Sequence, residues 1–143
     1  RYPEKWAVLI GGGLNHRMGL FDAILIKDNH IDSSETIEKA ILSVEGYLKK
    51  NNFKIPVYIE VRNKEELKEV LKHTWIDRII LDNMSIHDTR ESVSYVNGSF
   101  LIESSGNITK KNIKDYAETG VDFVSMGSIT HSASIIDMSL VKI

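Results

Sequence analysis

Basic side chains that could hold an anion gather in residues 11–30, GGGLNHRMGLFDAILIKDNH. His16 and Arg17 follow three glycines and place a titratable ring beside a permanent cation. Lys27 adds an amine where the short apolar run AILI ends. Glycines let a backbone approach a ligand closely, and three basic groups around one buried strand favour an anionic ligand. The segment therefore predicts an anion-binding site.

Oxygen-bearing side chains follow later in the chain, each near the end of an apolar run. Glu60 and Asp82 carry carboxylates of the kind that bind Mg²⁺ or sugar hydroxyls. Ser104-Ser105-Gly106-Asn107 and Gly127-Ser128, with His131 shortly after, offer hydroxyls and exposed amides suited to a phosphate. Together with the basic groups, they predict a site for a phosphorylated sugar, a metal ion and a second, anionic substrate.

Alternating strands and helices must position these groups. The pattern predicts a terminal strand over residues 135–143, leaving the main sheet, and a helix that ends in residues 6–10. The strands predicted for the main sheet cover residues 22–27, 57–61, 78–82, 100–102 and 121–126. The predicted helix caps are Ser33 or Ser34, then Asn63, Ser85 and Thr109.

This alternation predicts an α/β fold with a parallel sheet covered by helices. A Rossmann-type open sheet and a (β/α) barrel both fit, although no GxGxxG motif follows the first strand, which weakens the dinucleotide-binding alternative. In both architectures the carboxyl ends of the strands share one edge, where ligands bind. We therefore expect the polar residues to meet at that edge.

The composition disfavours several other classes of protein. The chain has 143 residues, a net charge of -2 and no cysteine. This length fits one domain or a large piece of one, and the scattered basic residues give no nucleic-acid footprint. Disulfides and thiolate metal sites are excluded, and no apolar run has the length of a membrane helix. With no apolar leader after Arg1, we expect a cytoplasmic protein without membrane or nucleic-acid partners.

Five motifs occur in order from about Trp6 to the C-terminus: GGGLNHRMGLFDAILIKDNHI, IEV, LDN, ESSGNI and VSMGSITHS. In this combination the sequence resembles the quinolinate phosphoribosyltransferases, also called nicotinate-nucleotide pyrophosphorylases (carboxylating). The resemblance implies transfer of a phosphoribosyl group from phosphoribosyl pyrophosphate to quinolinate with Mg²⁺, which gives nicotinate mononucleotide, pyrophosphate and CO₂ in NAD biosynthesis. It also implies a dimer, built from an N-terminal α/β sandwich and an open (β/α) barrel.

The resemblance also implies roles for the charged residues. His16 and Arg17 match the family's HR pair and, with Lys27, would contact the quinolinate carboxylates and nearby phosphate. Glu60 and Asp82 match the acidic pair that holds the ribose hydroxyls and the metal. Lys27 and the two carboxylates are the residues expected to take part in catalysis.

The remaining matches concern the 5′-phosphate. Ser105-Gly106-Asn107 and Gly127-Ser128 match the loops that bind it, and His131 lies beside the second loop. Arg62 stands where many relatives have a second acidic residue, and it receives no role.

One large departure concerns the N-terminal part of the family pattern. The sandwich domain and the first barrel strand, with its Thr-Arg-Lys-Thr motif, have no counterpart in the sequence. We therefore expect residues 1–143 to form the C-terminal barrel domain, an open and incomplete TIM-like barrel. Because the missing segments supply further cations, we expect this chain alone to have little or no activity.

Two other classes of function are compatible with the same residues. A different barrel enzyme for phosphorylated sugars is one, including an aldolase that would use Lys27 as a Schiff-base amine. A barrel module that only binds or pairs is the other. Considered singly, His16 and His131 are more often structural residues. Glu60 and Asp82, considered singly, are equally compatible with salt bridges at strand ends. Only the joint placement of these residues favours the enzyme.

Overall fold

A computed structural model describes residues 1–142. The chain divides into two compact units, residues 16–126 and a smaller unit made of residues 1–15 and the chain from Gly127 onward. The larger unit holds five strands: β1 (Ile24–Ile26), β2 (Val57–Val61), β3 (Arg78–Asp82), β4 (Leu101–Ser105) and β5 (Phe123–Val124). Its helices are α2 (Asp28–Ser33), α3 (Ile37–Asn51), α4 (Lys64–Val70), α5 (Ile86–Val96) and α6 (Ile113–Ala117). The smaller unit holds α1 (Tyr2–Ile10) and α7 (Ser128–His131).

The strand order decides between the two predicted architectures. The strands form one sheet in the order β1-β2-β3-β4-β5, and every neighbouring pair is parallel. A Rossmann-type sheet reverses its order at a switch point, whereas a (β/α) barrel places each strand beside the preceding one. The structure therefore has the sequential order of a barrel in an open, five-stranded form.

The two faces of the sheet have different surroundings. Val57, Ile59 and Val61 of β2 are buried and join helix residues such as Ile41 and Leu67 in one apolar core. Because side chains alternate along a strand, the residues between them point to the opposite face. We call that opposite side the inner face; it carries Tyr58, Glu60, Arg78, Ile80, Asp82, Glu103, Ser105, Phe123 and Ser125.

Local capping accounts for most of the helix starts. The side chains of Asn63 and Ser85 accept hydrogen bonds from the first turns of α4 and α5, which confirms both predicted caps. Thr36, not Ser33 or Ser34, caps α3. Ser33 is instead the last residue of α2, a short helix that the sequence pattern missed.

Two further predictions about helices and strands are wrong in detail. Thr109 does not cap α6, because its hydroxyl and N–H both donate to Asn112, which itself precedes the helix. The terminal strand predicted over 135–143 is absent from residues 135–142, which form neither helix nor strand, and Ile143 lies outside the described residues. Ile135 and Leu140 are almost fully exposed, so this stretch lacks the neighbouring strand that a ladder requires.

Among residues 1–142, no helix combines the length and apolar character needed to cross a membrane.

Candidate active site

Lys27 and Glu60 form a pair at the carboxyl edge of the sheet. Lys27 directly follows β1, and its Nζ lies 3.5 Å from Glu60 Oε1 on β2. The Lys27 side chain is half-exposed, whereas Glu60 is largely covered. The parallel register brings them together, since Ile26 pairs with Ile59 and the next residues are neighbours. The pair places one positive and one negative group at the edge where a parallel sheet binds ligands.

Asp82 brings a second carboxylate to this edge. It ends β3 on the same face as Glu60, because Glu60 pairs with Ile80 and Asp82 lies two residues further on. Burial raises the pKa of Glu60, the charge of Lys27 opposes that shift, and the charge of Asp82 adds to it. A carboxylate that is buried near a second negative charge is one that a divalent cation would stabilise. The donor set therefore fits Mg²⁺, which binds one or two carboxylates together with substrate oxygens.

Ser105, Gly106 and Asn107 form a tight turn beside Asp82. Ser105 pairs with Asp82 in the sheet, and Gly106 and Asn107 follow with φ of 94° and 52°. The Asn107 amide donates to Asn83 Oδ1 at 2.8 Å, and the Asn83 N–H donates to the Ser105 carbonyl at 2.9 Å. A Cβ on Gly106 would overlap the Asn83 side chain, so only glycine fits. Turns with positive φ at successive residues are a type of backbone that phosphate sites use.

A carboxylate lies deeper on the inner face. Glu103 is 2% exposed, and its Oε2 accepts a hydrogen bond from Arg78 Nη1 at 2.7 Å. Its Oε1 accepts one from the Ser125 hydroxyl and lies 3.4 Å from Nδ1 of His16. Burial opposes ionisation of Glu103, but the hydrogen bonds from His16, Ser125 and Arg78 outweigh it and lower its pKa to about 2.

Aromatic rings enclose this buried pair. The Arg78 guanidinium carbon lies 4.8 Å from the centre of the Tyr58 ring and 3.8 Å from that of Phe123. The His16 ring meets Tyr58 edge-on, with the ring centres 5.3 Å apart. Rings on both sides of a guanidinium hold it in place through cation–π contacts.

The sequence analysis gave no role to Arg78, Tyr58 or Glu103. A partial signal for Arg78 was present in the sequence, because it is a charged residue at the start of the otherwise apolar run RIIL. Its contact with Glu103 is visible only in the folded sheet.

Arg17 lies in the loop before β1, where its Nη1 donates to the Ala23 carbonyl at 3.1 Å. Asp22 shapes the same loop by accepting hydrogen bonds from the N–H groups of Met18 and Gly19, which lower its pKa. Neither contact tests the predicted role of Arg17 toward a substrate, which stays a prediction.

Three predicted phosphate-site residues belong to the smaller unit. Gly127 precedes α7, and a Cβ there would lie 3.2 Å from the His131 ring. His131 Nδ1 lies 2.6 Å from the hydroxyl of Ser132. Ser128 is the first residue of the helix. Their predicted roles stay predictions.

Arg62 takes part in an ion-pair network outside the predicted site. Its guanidinium lies 2.6 Å from Glu66 Oε1 and 3.1 Å from Asp32 Oδ1, which link the end of β2 to α4 and α2. This use agrees with giving Arg62 no role in the site.

Within the larger unit, the structure brings three predicted carboxyl-edge groups into one neighbourhood: Lys27, Glu60 and Asp82. It also places His16 above the buried Glu103 and builds the Ser105-Gly106-Asn107 turn against the loop after Asp82. This arrangement can bind anions, hold a hard divalent cation and stabilise positive charge that develops on a bound ligand.

The chain is similar to proteins of known family. The family model described as quinolinate phosphoribosyl transferase, C-terminal domain, matches residues 1–141. Quinolinate phosphoribosyltransferase (decarboxylating) 2, mitochondrial, of Nicotiana glauca is 44% identical over 98% of this chain, as is nicotinate-nucleotide pyrophosphorylase (carboxylating), chloroplastic, of Arabidopsis thaliana. The chain spans 44% of the length of each of these relatives.

A solved structure gives the same result for the fold. The crystal structure of a NadC deletion mutant superposes with a TM-score of 0.87 at 40% identity, covering 94% of this chain and 46% of that one. The predicted resemblance and the predicted open α/β barrel are therefore both confirmed. The chain belongs to the quinolinate phosphoribosyltransferase family and corresponds to its C-terminal domain.

Proposed function

We propose that the protein containing this chain transfers the phosphoribosyl group of phosphoribosyl pyrophosphate to quinolinate, in the step of NAD biosynthesis that yields nicotinate mononucleotide, pyrophosphate and CO₂. The observation that carries the proposal is the meeting of Lys27, Glu60 and Asp82 beside the Gly106 turn at one edge of the sheet. The names of the relatives support the same reaction.

The basic residues have a clear physical task in this reaction. Quinolinate is a dianion and phosphoribosyl pyrophosphate carries several negative charges, so their unassisted approach is repulsive. His16, Arg17 and Lys27 would offset that repulsion and hold the pyridine nitrogen against the anomeric carbon. Ser105-Gly106-Asn107 would bind the 5′-phosphate. Within the smaller unit, Gly127, Ser128 and His131 keep the phosphate-binding role that the resemblance implies.

The carboxylates would act on the sugar. As the bond from the anomeric carbon to pyrophosphate breaks and the bond to the pyridine nitrogen forms, positive charge develops on the ribose ring. Glu60 and Asp82 would bind the ribose hydroxyls and stabilise that charge. The 2-carboxylate then leaves as CO₂, its electron pair stays at C2 under the positive ring nitrogen, and a proton replaces it. The ring nitrogen carries no proton, so the transfer needs no general base there.

Glu60 and Asp82 are also the residues that would hold Mg²⁺, because both are carboxylates on one face and the pKa of Glu60 is raised by burial and by Asp82. When bound, Mg²⁺ would offset the negative charge of the departing pyrophosphate.

The proposal includes a homodimer or larger assembly and a cytoplasmic location. The relatives named above are described as mitochondrial and chloroplastic, so location is tested by fractionation of the source cells. Sedimentation of the whole protein tests the assembly. A fully active protein that sediments as a monomer would contradict the dimer.

The direct test uses the whole protein that contains this chain. We expect CO₂ release from quinolinate labelled at its 2-carboxylate, dependent on both phosphoribosyl pyrophosphate and Mg²⁺. Glu118→Gln, a surface carboxylate paired with Lys114, serves as the control that keeps activity. No release from the wild-type protein would contradict the proposal. Residues 1–143 alone should show little or no release.

The contacts of Lys27 argue against an aldolase. A Schiff-base lysine needs a neutral amine in an apolar pocket, whereas the Lys27 side chain is 46% exposed and paired with Glu60. Borohydride trapping of a carbonyl substrate on Lys27 would restore that alternative. Calorimetry with quinolinate and phosphoribosyl pyrophosphate tests the other alternative, a non-catalytic barrel module. Binding of neither ligand would favour that module.

A further inference from the structure

We infer that Glu103 is a positioning residue for His16, which it holds through Nδ1 so that Nε2 is presented to the substrate. The inference rests on the proposed function, because it assigns His16 to the binding of a quinolinate carboxylate. It assigns a role to Glu103, a buried carboxylate that has no part in the proposed reaction.

Two contacts fix the His16 ring, which belongs to a loop and has no backbone ladder to hold it. Nδ1 lies 3.4 Å from Glu103 Oε1, and the ring stands edge-on to Tyr58. The His16 side chain is 28% exposed, whereas that of Glu103 is 3% exposed. The imidazole therefore has one nitrogen toward the buried carboxylate, which leaves the other nitrogen for a ligand.

Glu103 is too deeply buried for direct contact with a substrate, because it is only 2% exposed and already holds three donors. Arg78 occupies Oε2, and the Ser125 hydroxyl shares Oε1 with His16. The remaining inner-face neighbours are the Tyr58 and Phe123 rings around Arg78 and, across Ile80, the Glu60 carboxylate. We therefore assign the influence of Glu103 on the reaction to His16, the more exposed of its two basic partners.

Arg78 makes this arrangement compatible with an anionic substrate. A lone buried carboxylate beneath the site would repel a dianion, but its charge is balanced by a guanidinium 2.7 Å away. The rings of Tyr58 and Phe123 keep that guanidinium from turning toward the ligand. His16 is left as the one member of this group that faces the site.

The contact with Glu103 determines which nitrogen of the His16 ring carries the proton. A carboxylate at Nδ1 selects the tautomer protonated there. To donate to a substrate carboxylate, Nε2 takes up a second proton from solvent as the anion binds, which gives an imidazolium between two carboxylates. Without the carboxylate, both tautomers and ring rotations become accessible, so the substrate meets a mixture of His16 states. We expect this loss to affect quinolinate and not phosphoribosyl pyrophosphate.

The experiment compares Glu103→Gln, His16→Gln and the double variant in the whole protein. We expect Glu103→Gln to raise the KM for quinolinate about tenfold while the KM for phosphoribosyl pyrophosphate stays within about twofold. In the double variant, the loss should equal that of His16→Gln alone, because Glu103 acts through that ring. Glu118→Gln should leave both KM values unchanged. The inference would be overturned if the losses of the two single variants multiplied in the double variant, or if both KM values changed equally.

A spectroscopic measurement separates this inference from the proposed function. In protein with ¹⁵N-labelled histidine, the His16 signals, identified by their loss in His16→Gln, should report a proton on Nδ1 in wild type and a tautomer mixture in Glu103→Gln. Unchanged signals would overturn the inference even in an active enzyme. An inactive wild type would refute the proposed function, while this measurement would still test the contact.

Glu103→Gln leaves the Arg78 charge buried, and poor folding would obscure the kinetics. Arg78→Gln with Glu103→Gln removes both charges, so neither is left buried without a counter-charge, and it carries the same test. The expected result is the same selective rise in the KM for quinolinate, and a KM equal to that of wild type would overturn the inference.

Discussion

Glu60 and Glu103 occupy the same level of the inner face, on either side of Ile80, yet their environments act in opposite directions. Burial raises the pKa of Glu60, and only one cation, 3.5 Å away, opposes the shift. Glu103 is more deeply buried, but three donors lower its pKa to about 2. Burial alone therefore does not decide the direction in which the pKa of a carboxylate shifts; the donors around it do.

The difference also separates two tasks. A carboxylate with few partners keeps capacity for a ligand or a cation, whereas a buried one held by three donors serves the structure around it. We expect Glu60 to matter for activity and little for folding, and Glu103 to matter for both. The following predictions test that contrast, beginning with the largest effect.

Glu103→Gln should lower the free energy of unfolding of the protein by about 3 to 5 kcal/mol, because it leaves the Arg78 charge buried without a counter-charge. Urea unfolding followed by circular dichroism measures the change. Ser125→Ala removes a neutral donor and should have a smaller effect. A loss below 1 kcal/mol, or about that of Ser125→Ala, would mean that Arg78 finds another partner.

Acid should weaken the wild type more than Glu103→Gln. The pKa of Glu103 is about 2 in the folded protein, below its ordinary value, so its stabilisation is complete above that ordinary value and is lost as the pH falls through about 2. The shift is equivalent to roughly 3 kcal/mol. Unfolding free energies measured between pH 7 and 2 should therefore converge for the two proteins. Parallel curves would contradict a lowered pKa.

Glu60→Gln should reduce turnover of the whole protein about 100-fold, which corresponds to about 2.7 kcal/mol of transition-state stabilisation. Its free energy of unfolding should be unchanged or slightly higher, since a raised pKa shows that the ionised form is disfavoured by burial. Initial rates and urea unfolding on the same sample check both. A clear loss of stability would remove the contrast with Glu103.

Tyr58→Leu should have the smallest effect, about 1 kcal/mol of unfolding free energy, because it removes one of the two rings around Arg78. Tyr47→Leu, which removes a more exposed ring (52%) that meets Phe53, serves as the reference for losing a tyrosine ring. Thermal unfolding of both variants measures the difference. Equal losses would show that the cation–π contact adds nothing beyond apolar burial.

Much of the sheet was predictable from the sequence. β2 and β3 agree with their predicted ranges, because their apolar runs have clear flanking signals. β4 was predicted over 100–102 but extends to Ser105, since Glu103 and Ser104 look like the end of a strand unless their partners are known. The predicted 121–126 shortens to Phe123–Val124, where pairing with β4 is present.

The site residues also fall into predictable and unpredictable groups. Lys27, Glu60 and Asp82 were predictable because the ends of parallel strands share one edge. The Arg78–Glu103 pair was not, because its members lie 25 positions apart and nothing local shows that they touch. α2 was missed since its first turn is closed by His30, whose Nδ1 accepts from the Lys27 N–H, an unusual cap.

The interlocked loops after β3 and β4 have a mechanical consequence. Asn83 bonds to the backbone of Ser105 and to the amide of Asn107, and its own amide donates to Asp82. If the Ser105-Gly106-Asn107 turn binds the proposed phosphate, a shift of that turn would be transmitted through Asn83 to the Asp82 carboxylate. The proposed phosphate and ribose contacts would then be coupled, so that a fragment carrying only the phosphate would tighten the binding of ribose.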